Sequence, residues 1–126
     1  MDIEKIFELL NYNNSIENQK RGIREALNSC THVLGLFLKQ YNNKDVWHNC
    51  ALIISQQTDE KLEPYLVELF DWIKNMDDPG ADLIMERLSN YKKNSIFLLA
   101  LSLRLNKAKK LNNKEWEENL NKLISL

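Results

Sequence analysis

Glycine, proline and cysteine are scarce in this chain, and each scarcity excludes a class of fold or chemistry. Three Gly and two Pro in 126 residues leave little punctuation for the many tight turns of a β-sandwich or barrel. No segment alternates apolar and polar residues as a half-buried strand would. The two cysteines, Cys30 and Cys50, are too few for a disulfide scaffold and are expected to be free, buried and apolar in behaviour. Gly22 and Gly35 stand isolated, so no glycine-rich phosphate loop is present. The longest strongly apolar run, Ile96 to Leu103, is eight residues, against roughly 20 for a bilayer span. Asp2, Glu4, Lys5 and Glu8 occupy the first turns, where an export signal would have a basic start and an apolar core. The expectation is a cytoplasmic protein without a membrane segment.

Catalytic and metal-binding constellations are equally thin. Cys30-x-His32 and His48-x-Cys50 pair soft and imidazole ligands, but residues two apart on a helix point about 200° away from each other. His48 and Cys50 therefore cannot face one ion from a helix, and no metal or cofactor is expected. Cys50 lies amid Ala51, Leu52 and Ile53, an inert core setting and not the electropositive, exposed one that a nucleophilic thiolate needs. A non-enzymatic protein is the expectation.

What is present is helical rhythm. Hydrophobic residues make up 44% of the chain, enough to bury a core at this length, and residues 1–126 read as one all-α domain. Ile3, Ile6, Phe7 and Leu10 mark a first helix ending at Asn11-Tyr12-Asn13-Asn14. Ser15 offers an N-cap to a second, with Glu17 in its first turn and Ile16, Ile23 and Leu27 on its apolar face. Val33 to Leu38 reads as a buried third helix or an extension of the second. Asp45 opens a helix with an apolar stripe of Val46, Trp47, Cys50, Ala51, Ile53 and Ile54. From about Asp59, Leu62, Leu66, Leu69, Ile73 and Met76 follow a 4-3-4-3 spacing, the seam of helix-on-helix packing, with Pro64 tolerated near the helix start.

Asp78-Pro79 predicts the next start, Asp as N-cap and Pro at the first helical position, with Leu83, Ile84, Leu88 and Tyr91 on the buried side. Asn94 caps a helix whose run Ile96 to Leu101 is apolar all round, which implies cover from other helices. Lys107, Lys109 and Lys110 give its C-terminus the favourable sign. After Asn112-Asn113 the last helix places Trp116, Leu120, Leu123 and Ile124 on one face. Seven or eight helices result. The pairs Asp45 to Asn75 and Asp78 to Lys110 are offset by roughly 35 residues, the size of a helical-hairpin repeat. The fold expected is a short α-solenoid of stacked antiparallel helix hairpins, HEAT-like, with an irregular bundle as the alternative because the letters themselves do not repeat.

Charge is distributed unevenly. Thr58 to Leu88 holds nine acidic residues against three basic ones, a net of -6 beside -1 for the whole chain, and Ser89 to Leu126 has eight Lys/Arg against three Glu. Such asymmetry is an argument about partners, not about fold. Asp78, Asp82 and Glu86 stand at i, i+4 and i+8, one stripe of a helix, with Asp71 and Asp77 just before it. Like charges so spaced cost a helix roughly 0.2 to 0.5 kcal/mol per pair, partly recovered at the helix N-terminus. The stripe reads either as a solvated face or as a docking edge for a basic protein. Asp77-Asp78-Pro79 does not supply the ligand order of a calcium loop. Trp47 and Trp116 read as packing residues, whereas Trp72, beside the Leu69 and Ile73 seam and near the acids, has the anatomy of a binding anchor.

Trp47-His48-Asn49-Cys50-Ala51, Ser55, Asp59-Glu60-Lys61-Leu62-Glu63-Pro64-Tyr65-Leu66, the stretch from Leu69 through Trp72 to Pro79-Gly80-Ala81, and Arg87-Leu88 together resemble small bacterial HEAT-like proteins of the DUF5071 kind. The resemblance runs from about Ile16 to Leu88. It implies an α-solenoid, an interaction role such as toxin immunity, and no cofactor or catalytic residue. The corner pattern Asp-x-Asn-Trp-Pro-Gly-Ala is met here by Asn75, Met76, Asp77, Asp78, Pro79, Gly80 and Ala81, so the aromatic before the proline is replaced by an acid and no contact residue carries over. The combined expectation is a protein that binds a basic toxin domain through Asp71, Trp72, Asp77, Asp78, Asp82 and Glu86. The alternatives are a nucleic-acid-binding repeat using Lys92, Lys93, Lys107, Lys109 and Lys110, or a structural adaptor.

Overall fold

The computed structural model describes residues 2–124 and is all-α among them, with eight α-helices, four 3-10 segments and no strand. Contacts gather the chain into two compact units, Met1–Gln57 and Thr58–Leu126. Helix hairpins recur within them, an arrangement compatible with a helical repeat.

In the first unit α1 (Ile3–Leu10) and α2 (Ile16–Ser29) form a hairpin. Asp2 caps α1 by accepting from the Lys5 amide, and Ser15 caps α2 by accepting from the Asn18 amide. Each side chain satisfies one of the helix's orphan N–H groups. Ile6, Leu9 and Leu10 of α1 are buried against α2, whose contribution at closest approach is Gly22 and Ala26. A Cβ on Gly22 would meet Leu9 Cβ at 2.9 Å and Leu10 Cδ2 at 3.1 Å, so the missing side chain is what lets the helices close. Ile16, expected on the apolar face of α2, is exposed; it sits in the first turn, beyond the overlap with α1.

The third helix expected at Val33 to Leu38 is a 3-10 run, Thr31–Phe37, broken by a non-helical Val33, followed by a second short one at Lys39–Tyr41. Buried Leu34, Phe37 and Leu38 pin this irregular stretch down, and Asn42 Nδ2 donates to the carbonyls of both Leu36 and Leu38 at 2.8 Å. A further turn, Lys44–Val46, leads into α3 (Trp47–Ser55). Asn49, buried in α3, donates to the Leu10 carbonyl at 2.7 Å and to Gln19 Oε1 at 3.0 Å. That amide ties α3 to both members of the hairpin and satisfies a carbonyl at the end of α1.

The second unit begins with α4 (Asp59–Leu62), capped by Thr58. The single helix expected from Asp59 to Met76 is interrupted: Pro64 lies in a 3-10 turn, Glu63–Tyr65, and α5 runs only Leu66–Trp72. Proline has no N–H to give the ladder. The seam survives the break, since Leu62, Leu66, Leu69 and Ile73 are all buried. Next come α6 (Ala81–Ser89), α7 (Ser95–Lys110) and α8 (Lys114–Ile124), the last two packed as a hairpin. Trp116 is fully buried and its Nε1 donates to the Phe70 carbonyl at 2.9 Å, while Asn119 donates to the Ile73 carbonyl at 2.9 Å. Thus α8 satisfies two carbonyls at the C-terminal end of α5.

Two apolar expectations fail in this unit. The α7 run is not covered all round: Phe97, Ala100, Leu101 and Leu105 are buried, but Ile96, Leu99 and Leu103 form an exposed stripe, Leu99 at 63%. A helix in one hairpin packs through one arc, and the neighbours of α7 among the described residues occupy the other side. Ile124 is likewise exposed.

Candidate protein-interaction site

The acidic region folds as α5, a corner of eight residues and α6. Residues 73–80 are held by their own backbone and by one tryptophan. The Asp78 amide donates to the Asn75 carbonyl at 3.1 Å, the Ala81 amide to the Asp78 carbonyl at 3.1 Å, and Asn75 Oδ1 accepts from the Asp77 amide at 2.9 Å. Gly80 adopts φ 85°, a left-handed conformation that costs a residue with a Cβ roughly 1 to 2 kcal/mol. Glycine is what allows the chain to turn into α6 here.

This geometry corrects two site expectations. Asp78-Pro79 does not start the helix: Gly80 is the N-cap and α6 begins at Ala81. Asp78 therefore lies off the helix, half-buried and already engaged in an interaction of its own, and only Asp82 and Glu86 share the predicted stripe. Trp72 is fully buried, with Nε1 donating to the Pro79 carbonyl at 3.4 Å. Its ring props the corner from beneath and is not available as an anchor for a partner.

The remaining acids divide by environment. Asp71 is half-buried and pairs with Arg104 of α7 at 3.4 Å, a link across the unit. Arg104 Nε and Glu68 Oε2 are buried without a hydrogen-bond partner. Asp77, Asp82 and Glu86 are exposed, and no salt bridge engages them among the described residues. Of the six predicted partner-binding residues, these three remain presented.

A second polar cluster carried no charge-pattern signal. Asp59 Oδ1 accepts from Arg87, its Oδ2 accepts from the Lys92 amide at 3.0 Å, and its main-chain carbonyl accepts from Tyr91 Oη at 3.0 Å. The Arg87 guanidinium also lies 5.7 Å from the Tyr91 ring centre. Burial alone would raise the Asp59 carboxyl, but the Lys92 amide and the hydrogen bond and charge of Arg87 outweigh it and hold it below its ordinary value. Burial, helped by the Asp59 charge, pushes the Tyr91 phenol up. The cluster fastens the start of α4 to the end of α6, and the separation of its members in sequence is why no local pattern revealed it.

Both cysteines are free and buried, and burial pushes the Cys50 thiol up to about 12. His48 packs edge-on to Tyr12 at 5.4 Å. No group of three or more His, Cys, Asp or Glu among the described residues is arranged to hold a metal ion, and no helix among them is long and apolar enough to cross a membrane. No protein-family model, curated protein or solved structure matches this chain.

Proposed function

We propose that this chain is a non-enzymatic protein-binding module that engages a basic protein surface through Asp77, Asp82 and Glu86. The observation that supports the reading is a corner held from within, by Trp72 beneath it and Gly80 at the helix entry, with Asp77 exposed on it and Asp82 and Glu86 exposed on the helix that follows. Exposed carboxylates on a floppy loop would lose side-chain and backbone entropy on binding; on a held corner and a helix that cost is smaller. Their charge accelerates encounter with a basic partner, and the effect falls with ionic strength. In keeping with the resemblance to HEAT-like immunity proteins, the partner proposed is a basic toxin domain in the bacterial cytoplasm. If that domain is a nuclease, the carboxylates take the place of its phosphate substrate.

The test is a pull-down from a lysate of the source cells with the wild-type protein and the Asp77→Asn, Asp82→Asn, Glu86→Gln variant side by side, bound proteins being identified by mass spectrometry. A basic protein retained by wild type and lost by the variant, with unchanged circular dichroism, is the expected result. Identical partners on both proteins would return the corner to solvated surface. A generic nucleic-acid duplex held at physiological salt would favour the basic end of α7 instead.

A further inference from the structure

The first unit carries a groove of about 560 Å³, within the range of roughly 300 to 1,000 Å³ typical of ligand sites. One wall is a single arc of α1: Ile3, Glu4, Phe7, Glu8 and Asn11 span about 140° at 100° per residue, opposite the face that packs on α2. The other wall is the irregular stretch before α3, contributing Leu36, Tyr41, Asp45 and Val46. The apolar floor is held in place, since Phe7 stacks on Phe37 at 5.1 Å and 20°. The walls are tied at one end, where Asn11 Nδ2 donates to Asp45 Oδ2 at 2.9 Å and the Tyr12 amide donates to the Asp45 carbonyl at 2.8 Å. The site is formed before anything enters it.

All the charge lining the groove is negative: Glu4 and Glu8 on one wall and Asp45 on the other, with no Lys or Arg between them. Lys5 pairs with Glu8 at 3.4 Å, but both side chains are more than half exposed, at 55% and 69%, and such a pair is weak enough to be exchanged for another cation. Lys39 lies over the Trp47 ring at 4.9 Å, a position that employs its charge elsewhere. Leu36 and Tyr41 are exposed, Tyr41 at 69%, so apolar surface and carboxylates face the same opening.

We infer that this groove binds an extended, lysine- or arginine-bearing segment of a partner protein, at a site separate from the acidic corner of the second unit. Charge complementarity selects a cation, and the apolar floor selects a cation on a long aliphatic stem that can lie along Phe7 and Tyr41. The spacing selects a chain over a single ion. Side chains at i and i+4 on a helix sit about 5 to 6 Å apart, and alternate side chains on one face of an extended strand sit about 6.6 to 6.8 Å apart. Two basic residues separated by one residue thus match Glu4 and Glu8 in register. From Ile3 to Asn11 the wall is about 12 Å long, room for roughly four extended residues.

The probe is the capped heptapeptide Ala-Lys-Val-Lys-Val-Lys-Ala, titrated at low salt into isotope-labelled full-length protein and read by amide chemical shifts. Shifts confined to the α1 arc and to the Leu36 to Val46 wall are expected, with affinity about tenfold lower in the Glu4→Gln, Glu8→Gln variant. Little or no response is expected to the matching peptide with Glu in place of Lys. Lysine amide alone, at the same concentration of ammonium groups, distinguishes a segment from a free cation: equal shifts from it would overturn the extended-chain assignment. Shifts elsewhere, or an unchanged affinity in the variant, would overturn the site. Both variant positions are exposed, so the fold is retained, and the Asp77→Asn, Asp82→Asn, Glu86→Gln protein should bind the peptide as wild type does whatever becomes of the corner.

Discussion

Trp72 and Pro79 face each other across the corner of the second unit, with the indole Nε1 donating to the Pro79 carbonyl at 3.4 Å and the ring wholly out of solvent. A residue whose sequence neighbourhood suggests contact with a partner thereby becomes the support of the corner that carries Asp77 and leads into the helix of Asp82 and Glu86. Trp72→Phe keeps most of the packing and deletes the donor, so it should cost about 1 to 2 kcal/mol, measured by urea unfolding. On the proposed reading, the folded variant should still retain whatever basic protein the wild type binds through Asp77, Asp82 and Glu86. Loss of binding in a Trp72→Phe protein with a wild-type unfolding curve would mean that the ring itself reaches the partner.

Gly22 sets how closely α1 and α2 approach. Gly22→Ala gains about 1 kcal/mol of helix propensity, but its Cβ would sit 2.9 Å from Leu9 Cβ, an atom too close to the backbone to swing aside. Overpacking of this kind costs typically 1 to 3 kcal/mol. A lower unfolding midpoint is expected, and a raised one would show that the hairpin can open without loss.

Asp59 makes the second unit sensitive to acid. Its carboxyl is held below the ordinary value of 3.8, so the unfolded chain binds its proton more readily than the folded one. The stabilisation is fully present above about pH 4 and is lost as pH falls through the lower, folded value. Asp59→Asn should remove that part of the acid dependence and destabilise the protein at neutral pH by about 1.5 to 3 kcal/mol, the range for hydrogen bonds to charged groups. Parallel stability curves for wild type and variant between pH 2 and pH 7, a range chosen about the ordinary carboxylate values, would refute the assignment.

Cys50 should be chemically silent in the native protein. With its thiol pushed up to about 12, only about one molecule in ten thousand carries the thiolate at pH 8. Reaction with a thiol reagent should wait for unfolding, and prompt labelling of Cys50 under native conditions would mean that α3 opens readily.

The presence of helices, the caps at Ser15 and Asn94 and the Leu62, Leu66, Leu69, Ile73 seam follow from the sequence alone, because each depends on residues within a turn or two of one another. Ser15 and Asn94 cap α2 and α7 through hydrogen bonds spanning three residues, distances over which local chemistry decides. The acidic character of Asp77, Asp82 and Glu86 was legible in the same way. Their surroundings were not. Whether Trp72 faced water or the core and whether Asp71 stood free or paired with Arg104 depended on groups brought together from distant positions. The same holds for Glu4 and Glu8, which read as ordinary surface acids until the chain around Tyr41 and Asp45 folds back beside them. Periodicity marks which faces of a helix are apolar, but burial, ion pairing and the walls of a groove are properties of what packs opposite, and only the tertiary structure supplies that.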